Sequence, residues 1–104
     1  MNRNDLINEI KELIRFIDSI NSEAMDVLAG RSNRKMNDIR YSIYYVNEFV
    51  ENLEKIKAKL EPINYGLGMA YPEPYLDSLR DELADKYDKM YELFDKVHYM
   101  VFKK

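Results

Sequence analysis

Apolar residues return every three or four positions along nearly the whole chain, a period that belongs to helices and not to strands. In the first stretch Leu6, Ile10, Leu13, Ile17, Ile20, Ala24 and Leu28 fall on one line, with Ile7 and Ile14 widening it. Asn2 or Asn4 suits the start as a cap, Asp5 and Glu9 suit the positive end of the helix dipole, and Gly30 offers the left-handed residue that commonly ends a helix. The first helix is predicted over about 4–29, with a weak point at Ser19 to Ser22.

The second line runs Met36, Ile39, Ile43, Val46, Val50, Leu53 and Leu60, with Phe49 and Ile56 beside it and Lys57 interrupting it. Ser32 or Asn33 is the expected cap. Pro62 should halt the helix because it lacks the N–H that an interior position must donate, which gives a second helix over roughly 33–60. After Pro74, a residue suited to a first helical turn, come Leu76, Leu79, Leu83, Tyr87, Met90, Phe94, Val97 and Val101, so the third helix is predicted over 74–102.

Three Gly and three Pro are too few for a fold built of many turns. The expected class is therefore all-α: one domain over 1–104, an antiparallel three-helix bundle with long, coiled-coil-like helices and a loop over 61–73. A three-stranded rod leaves much surface uncovered, which makes a second copy, in a homodimer, a candidate to cover it.

The formal charge of −3 argues against direct gripping of nucleic acid, which normally calls for a positive excess. The absence of Cys excludes thiolate metal sites and thiol nucleophiles. No apolar run approaches the ~18 residues of a membrane span and the start of the chain does not read as a leader, so a cytoplasmic protein with no membrane partner is expected. Gly66-Leu67-Gly68 is too short for a phosphate loop, and no nucleophile setting is recognisable, so neither catalysis nor a cofactor is expected. His98 follows Asp95 at the carboxylate-x-x-His spacing of di-iron helices, but a single copy makes no metal site.

Candidate surfaces remain. Tyr41 and Tyr45 stand one turn apart off the Ile/Val line, and Tyr65, Leu67, Met69 and Tyr71 alternate with small residues in the expected loop. Tyrosine combines a large contact area with a hydroxyl that tolerates being half wet, so these six are the expected partner-binding residues. Their competing role is structural, with the loop capping the bundle and the tyrosines edging the core. On the third helix Asp77, Asp81, Asp85, Asp88, Glu92 and Asp95 line one face at a rise close to phosphate spacing, although Glu82–Lys86, Asp85–Lys89 and Glu92–Lys96 are pairs typical of a solvated face.

Charge is unevenly divided, the middle third being basic between acidic neighbours, which predicts attraction between helices. Arg31, Arg34, Lys35 and Arg40 gather where a helix dipole disfavours positive charge, which calls for an anionic partner inside or outside the chain. The first functional expectation is a noncatalytic protein–protein interaction module. Its size and its Lys-, Asn-, Ile- and Tyr-rich composition fit an accessory or mobile-element protein that modulates or inhibits a host protein. The alternative is an acidic mimic of nucleic acid that occupies the groove of a DNA- or RNA-binding protein. A bacteriocin-immunity role is a third, resting only on size and helical character.

Overall fold

The computed structural model describes residues 2–69 and 73–102, which form α1 (Arg3–Leu28), α2 (Ile39–Met69) and α3 (Pro74–Phe102) with a turn over 29–38. The helices are joined by one apolar cluster in a molecule 49 × 21 × 21 Å. α1 and α3 share the widest interface and run in the same direction, since Arg3 pairs with Glu73 at one end and Lys86 Nζ reaches Asp18 at 2.6 Å further along. α2 runs against them: the Phe49 and Phe94 rings lie 5.3 Å apart, and Lys57 sits 6.0 Å over Tyr91.

The first helix follows its sequence signals closely. The Asn2 side chain accepts the Asp5 N–H at 2.8 Å, satisfying one of the unpaired donors of the first turn. At the other end Gly30, with φ +74°, lets its own N–H reach the Val27 carbonyl and the Arg31 N–H reach that of Asp26. This double closure needs the left-handed backbone that glycine adopts without a Cβ clash. No break occurs at Ser19 to Ser22, because Asn21 between them is buried and donates from Nδ2 to the Lys86 carbonyl at 3.2 Å. Pro74 opens α3 as expected, with the Glu73 carbonyl accepting the Asp77 N–H at 3.0 Å.

The second helix departs from the sequence expectation in three ways. It begins at Ile39 and not near 33, because Asp38 is the cap. The Asp38 side chain accepts the Arg40 N–H at 2.9 Å and its carbonyl accepts that of Ser42 at 3.0 Å. Ser32 instead accepts the Arg34 N–H inside the turn.

The second departure is that the helix passes through Pro62 to Met69, so residues 61–69 are helical and not a loop, while 70–72 lie outside the described residues. An interior proline costs about 3 kcal/mol, and here it leaves the Ala58 carbonyl without its helical partner. Both residues are exposed, so water can replace the lost donor. Beyond the proline Ile63 is fully buried and Leu67 packs against the core, and burying such a side chain contributes about 1.5–3 kcal/mol.

The third departure is rotational. The buried face of α2 runs through Ser42, Tyr45, Val46, Phe49, Leu53, Ile56 and Ile63, and leaves Ile39 (53 % exposed), Ile43 (39 %) and Val50 (37 %) outside. The line read from sequence would have carried Lys57 inward, seven residues after Val50. Turning the helix keeps that ammonium in solvent, where an uncompensated buried charge would cost several kcal/mol. It also places Phe49 against Phe94 and Tyr45 edge-on to Phe49.

Candidate interaction surface

The rotation of α2 leaves its first three turns clothed in large apolar side chains that the core does not use. Ile39, Ile43 and Val50 form one line and Tyr41 with Tyr44 (63 % exposed) a second. By helical geometry Arg40 projects between them, with its side chain 87 % exposed. Beside this surface a concavity of about 640 Å³ is lined by Asn33, Arg34, Lys35, Arg40, Tyr41 and Tyr44. That volume lies within the range of small binding clefts, and the walls are mainly aryl rings and aliphatic stems with a few cationic tips.

The cations around the turn divide into satisfied and free. Arg31 reaches Asp26 at 3.1 Å. Arg34 bridges α1 and α2, holding Glu23 at 2.5 Å and Glu48 at 2.9 Å while its guanidinium stacks 5.0 Å over the Tyr45 ring. Partial burial pulls its pKa down, and the two carboxylates more than offset that, so it stays charged. The anionic partner expected for the basic cluster is therefore partly internal. Lys35 has no ion pair among the described residues, and Arg40 only approaches Asp38 at 3.5 Å. The charge division between helices is explained only in part, since among the described residues no ion pair joins a lysine of α2 to α1 or α3.

Of the six residues expected to bind a partner, the structure does not bring all together. Tyr41 is exposed at the rim of the concavity. Tyr45, four residues on, is 2 % exposed and belongs to the core, a correction that follows from the rotation of α2. Its buried hydroxyl has no hydrogen-bond partner among the described residues, and burial first, with Glu23 adding, pushes its pKa well above the usual tyrosine value. Tyr65 and Met69 are exposed but on helix, not on a loop, and at 1.5 Å rise per residue Tyr65 stands roughly 36 Å along α2 from Tyr41. Leu67 packs against the core, and Tyr71 lies outside the described residues.

The acidic series Asp77, Asp81, Asp85, Asp88, Glu92 and Asp95 is exposed throughout, on the side of α3 opposite its buried line. Cations interrupt it: Arg80 lies 3.8 Å from both Asp77 and Asp81, and Glu92 is held by Lys96 at 3.2 Å and Lys89 at 3.6 Å. His98 stacks between Phe94 and Phe102, with ring centroids at 5.8 and 4.7 Å. Among the described residues no group of three potential metal ligands converges, and no helix is long and apolar enough to cross a membrane.

Sequence reasoning missed Ile39, Ile43 and Val50 as surface residues because it counted them into the core. The signal that could have found them was Lys57, whose interruption of the line was the mark of a wrong helix face. No protein-family model, curated protein or solved structure matches the chain.

Proposed function

We propose that the protein is a noncatalytic, cytoplasmic interaction module that binds another protein through the first three turns of α2 and so modulates that partner. The supporting observation is the concentration of exposed large apolar side chains there: Ile39, Tyr41, Ile43, Tyr44 and Val50. The two apolar lines flank the cationic Arg40, and exposed apolar side chains rimmed by polar ones often mark interaction sites. Aromatic anchors beside cationic tips match the composition of interface centres.

The test is affinity capture from nuclease-treated lysate of the source organism, comparing the wild type with an Ile39→Ser/Ile43→Ser/Tyr44→Ser variant. A protein retained by the wild type and lost by the variant, with the helical content of both unchanged, supports the reading. Identical sets of bound proteins would sink it.

A second reading, mimicry of nucleic acid by α3, is favoured by one observation, the exposure of all six carboxylates on one side of that helix. The interleaved Arg80, Lys89 and Lys96 weaken the resulting field. Replacing Asp81, Asp85 and Asp88 by Asn would abolish inhibition of a nucleic-acid-binding target under this reading and leave capture by α2 untouched under the first.

A further inference from the structure

We propose that the concavity between the 31–38 turn and the start of α2 receives an acidic peptide segment, its carboxylates on Lys35 and Arg40 and an adjacent aromatic or aliphatic side chain against Tyr41 and Tyr44. This inference rests on the interaction reading above and adds the chemistry of the partner.

The site is built from side chains and does not depend on the helix end, whose Arg40 N–H is already taken by Asp38. Four cations gather at the turn, and two of them are neutralised within the chain: Arg31 by Asp26, and Arg34 by Glu23 and Glu48. The remaining two, Lys35 and Arg40, both line the concavity. Among the described residues Arg40 has only the approach of Asp38 at 3.5 Å, and its side chain is almost wholly exposed. Tyr41 and Tyr44 supply ring surface in the same concavity. A bare inorganic anion would leave that carbon surface wet, while a wholly apolar segment would leave Lys35 without a counter-charge and Arg40 with Asp38 alone. A segment with both kinds of side chain satisfies both.

Charge decides between an acidic peptide and a nucleic-acid strand. A strand gains affinity by neutralising many phosphates in a row, and the chain carries a net −3 with Glu23 and Asp26 close to the turn. Two local cations suit a ligand with a few negative charges and not a polyanion. Arg40 also offers the planar fork that takes a carboxylate in two hydrogen bonds.

The experiment is selection from a random peptide library displayed on phage, against the full chain, followed by titration of the enriched peptides into 15N-labelled protein. The expected motif carries Asp or Glu beside an aromatic or large aliphatic residue, with amide shifts concentrated in residues 33–44. Lys35→Glu/Arg40→Glu should weaken binding at least tenfold while the melting temperature holds, and Tyr41→Ala/Tyr44→Ala should weaken it severalfold. Raising salt from 0.05 to 0.5 M should weaken the wild type's binding and not the residual binding of the charge-reversed variant.

Enriched peptides without acidic residues that still shift residues 33–44 would overturn the acidic assignment and leave the interaction reading standing. Failure of any peptide to enrich over empty beads would overturn the assignment too, and the lysate capture would then decide the broader reading by itself. Tighter binding of a single-stranded oligonucleotide than of any acidic peptide, lost in Lys35→Glu/Arg40→Glu, would replace the peptide with nucleic acid.

Discussion

Tyr45 shows how one side chain can be an asset to packing and a cost in polarity. Its ring meets Phe49 edge-on at 6.1 Å and carries the Arg34 guanidinium on its face, so two elements depend on it. Its hydroxyl nevertheless has no partner among the described residues, and an unsatisfied buried hydroxyl costs about 1–3 kcal/mol. Tyr45→Phe keeps the ring and its cation stacking, and is expected to raise stability by about 1 kcal/mol in urea unfolding. Tyr45→Ala should lose about 3–5 kcal/mol, as large-to-small changes at buried rings do. The same burial gives the molecule an alkaline limit. The folded pKa of Tyr45 lies above its unfolded value near 10, so its contribution is complete below pH ~10 and is lost as pH rises from there toward the folded value. Tyr87, which burial and its hydrogen bond to Tyr91 push up to about 12, acts in the same direction and Tyr91, which that bond moves down, in the opposite one, and both are common to the wild type and Tyr45→Phe. Melting temperatures measured above pH 10 should therefore fall more steeply for the wild type than for Tyr45→Phe, and parallel curves would remove Tyr45 as the cause.

α2 is the element on which sequence and structure disagree, and the reasons are physical. The period of α1 and the proline at the start of α3 were legible because each has one apolar line and local end signals that no tertiary contact opposes. On α2 two lines compete: one holds Ile39, Ile43 and Val50 but meets Lys57, while the other begins with Ser42 and gains Tyr45, Phe49 and Ile63. Apolar spacing alone does not decide between them; the charge of Lys57 counts against the first line, and the packing of Phe49 on Phe94 accompanies the second. The candidate site follows from the losing line, which is why Tyr41 and the basic cluster were legible and its aliphatic members were not. Pro62 is a second conflict, between a local stop signal and the continued apolar spacing of Leu60, Ile63 and Leu67. If burial beyond the proline holds the helix together, Ile63→Ala should cost about 2–4 kcal/mol. Pro62→Ala, which restores a donor for Ala58, should raise stability by about 1–2 kcal/mol after the gain in unfolded-chain freedom is subtracted. Urea unfolding of the two variants checks both signs, and a neutral Ile63→Ala would mean that the last turns of α2 do not anchor it.

At the scale of the whole molecule, the two parallel helices α1 and α3 form the wider contact and α2 lies against the groove between them. This arrangement leaves the outer side of α2 as surface with no structural duty, and its apolar start bears on oligomeric state. Five side chains there are between 37 and 63 % exposed. With large side chains offering on the order of 200 Å² each, they present roughly 500 Å² over the two lines together, within what a solitary protein shows. A stable two-chain interface buries about 800 Å² per partner, so the patch falls short of holding two copies together by apolar contact alone. Lys35 and Arg40 beside it would also face their own counterparts across a two-fold axis that passed through the patch, adding repulsion. An acidic partner reverses the sign of that interaction and adds charge-assisted bonds to the same area. The expected result of sedimentation equilibrium is therefore a monomer at micromolar concentration in 0.15 M salt, with association growing as salt rises and the cations are screened. A dimer already present at low salt, and unaffected by Ile43→Lys, would place the self-contact on another face and leave the start of α2 to a different partner.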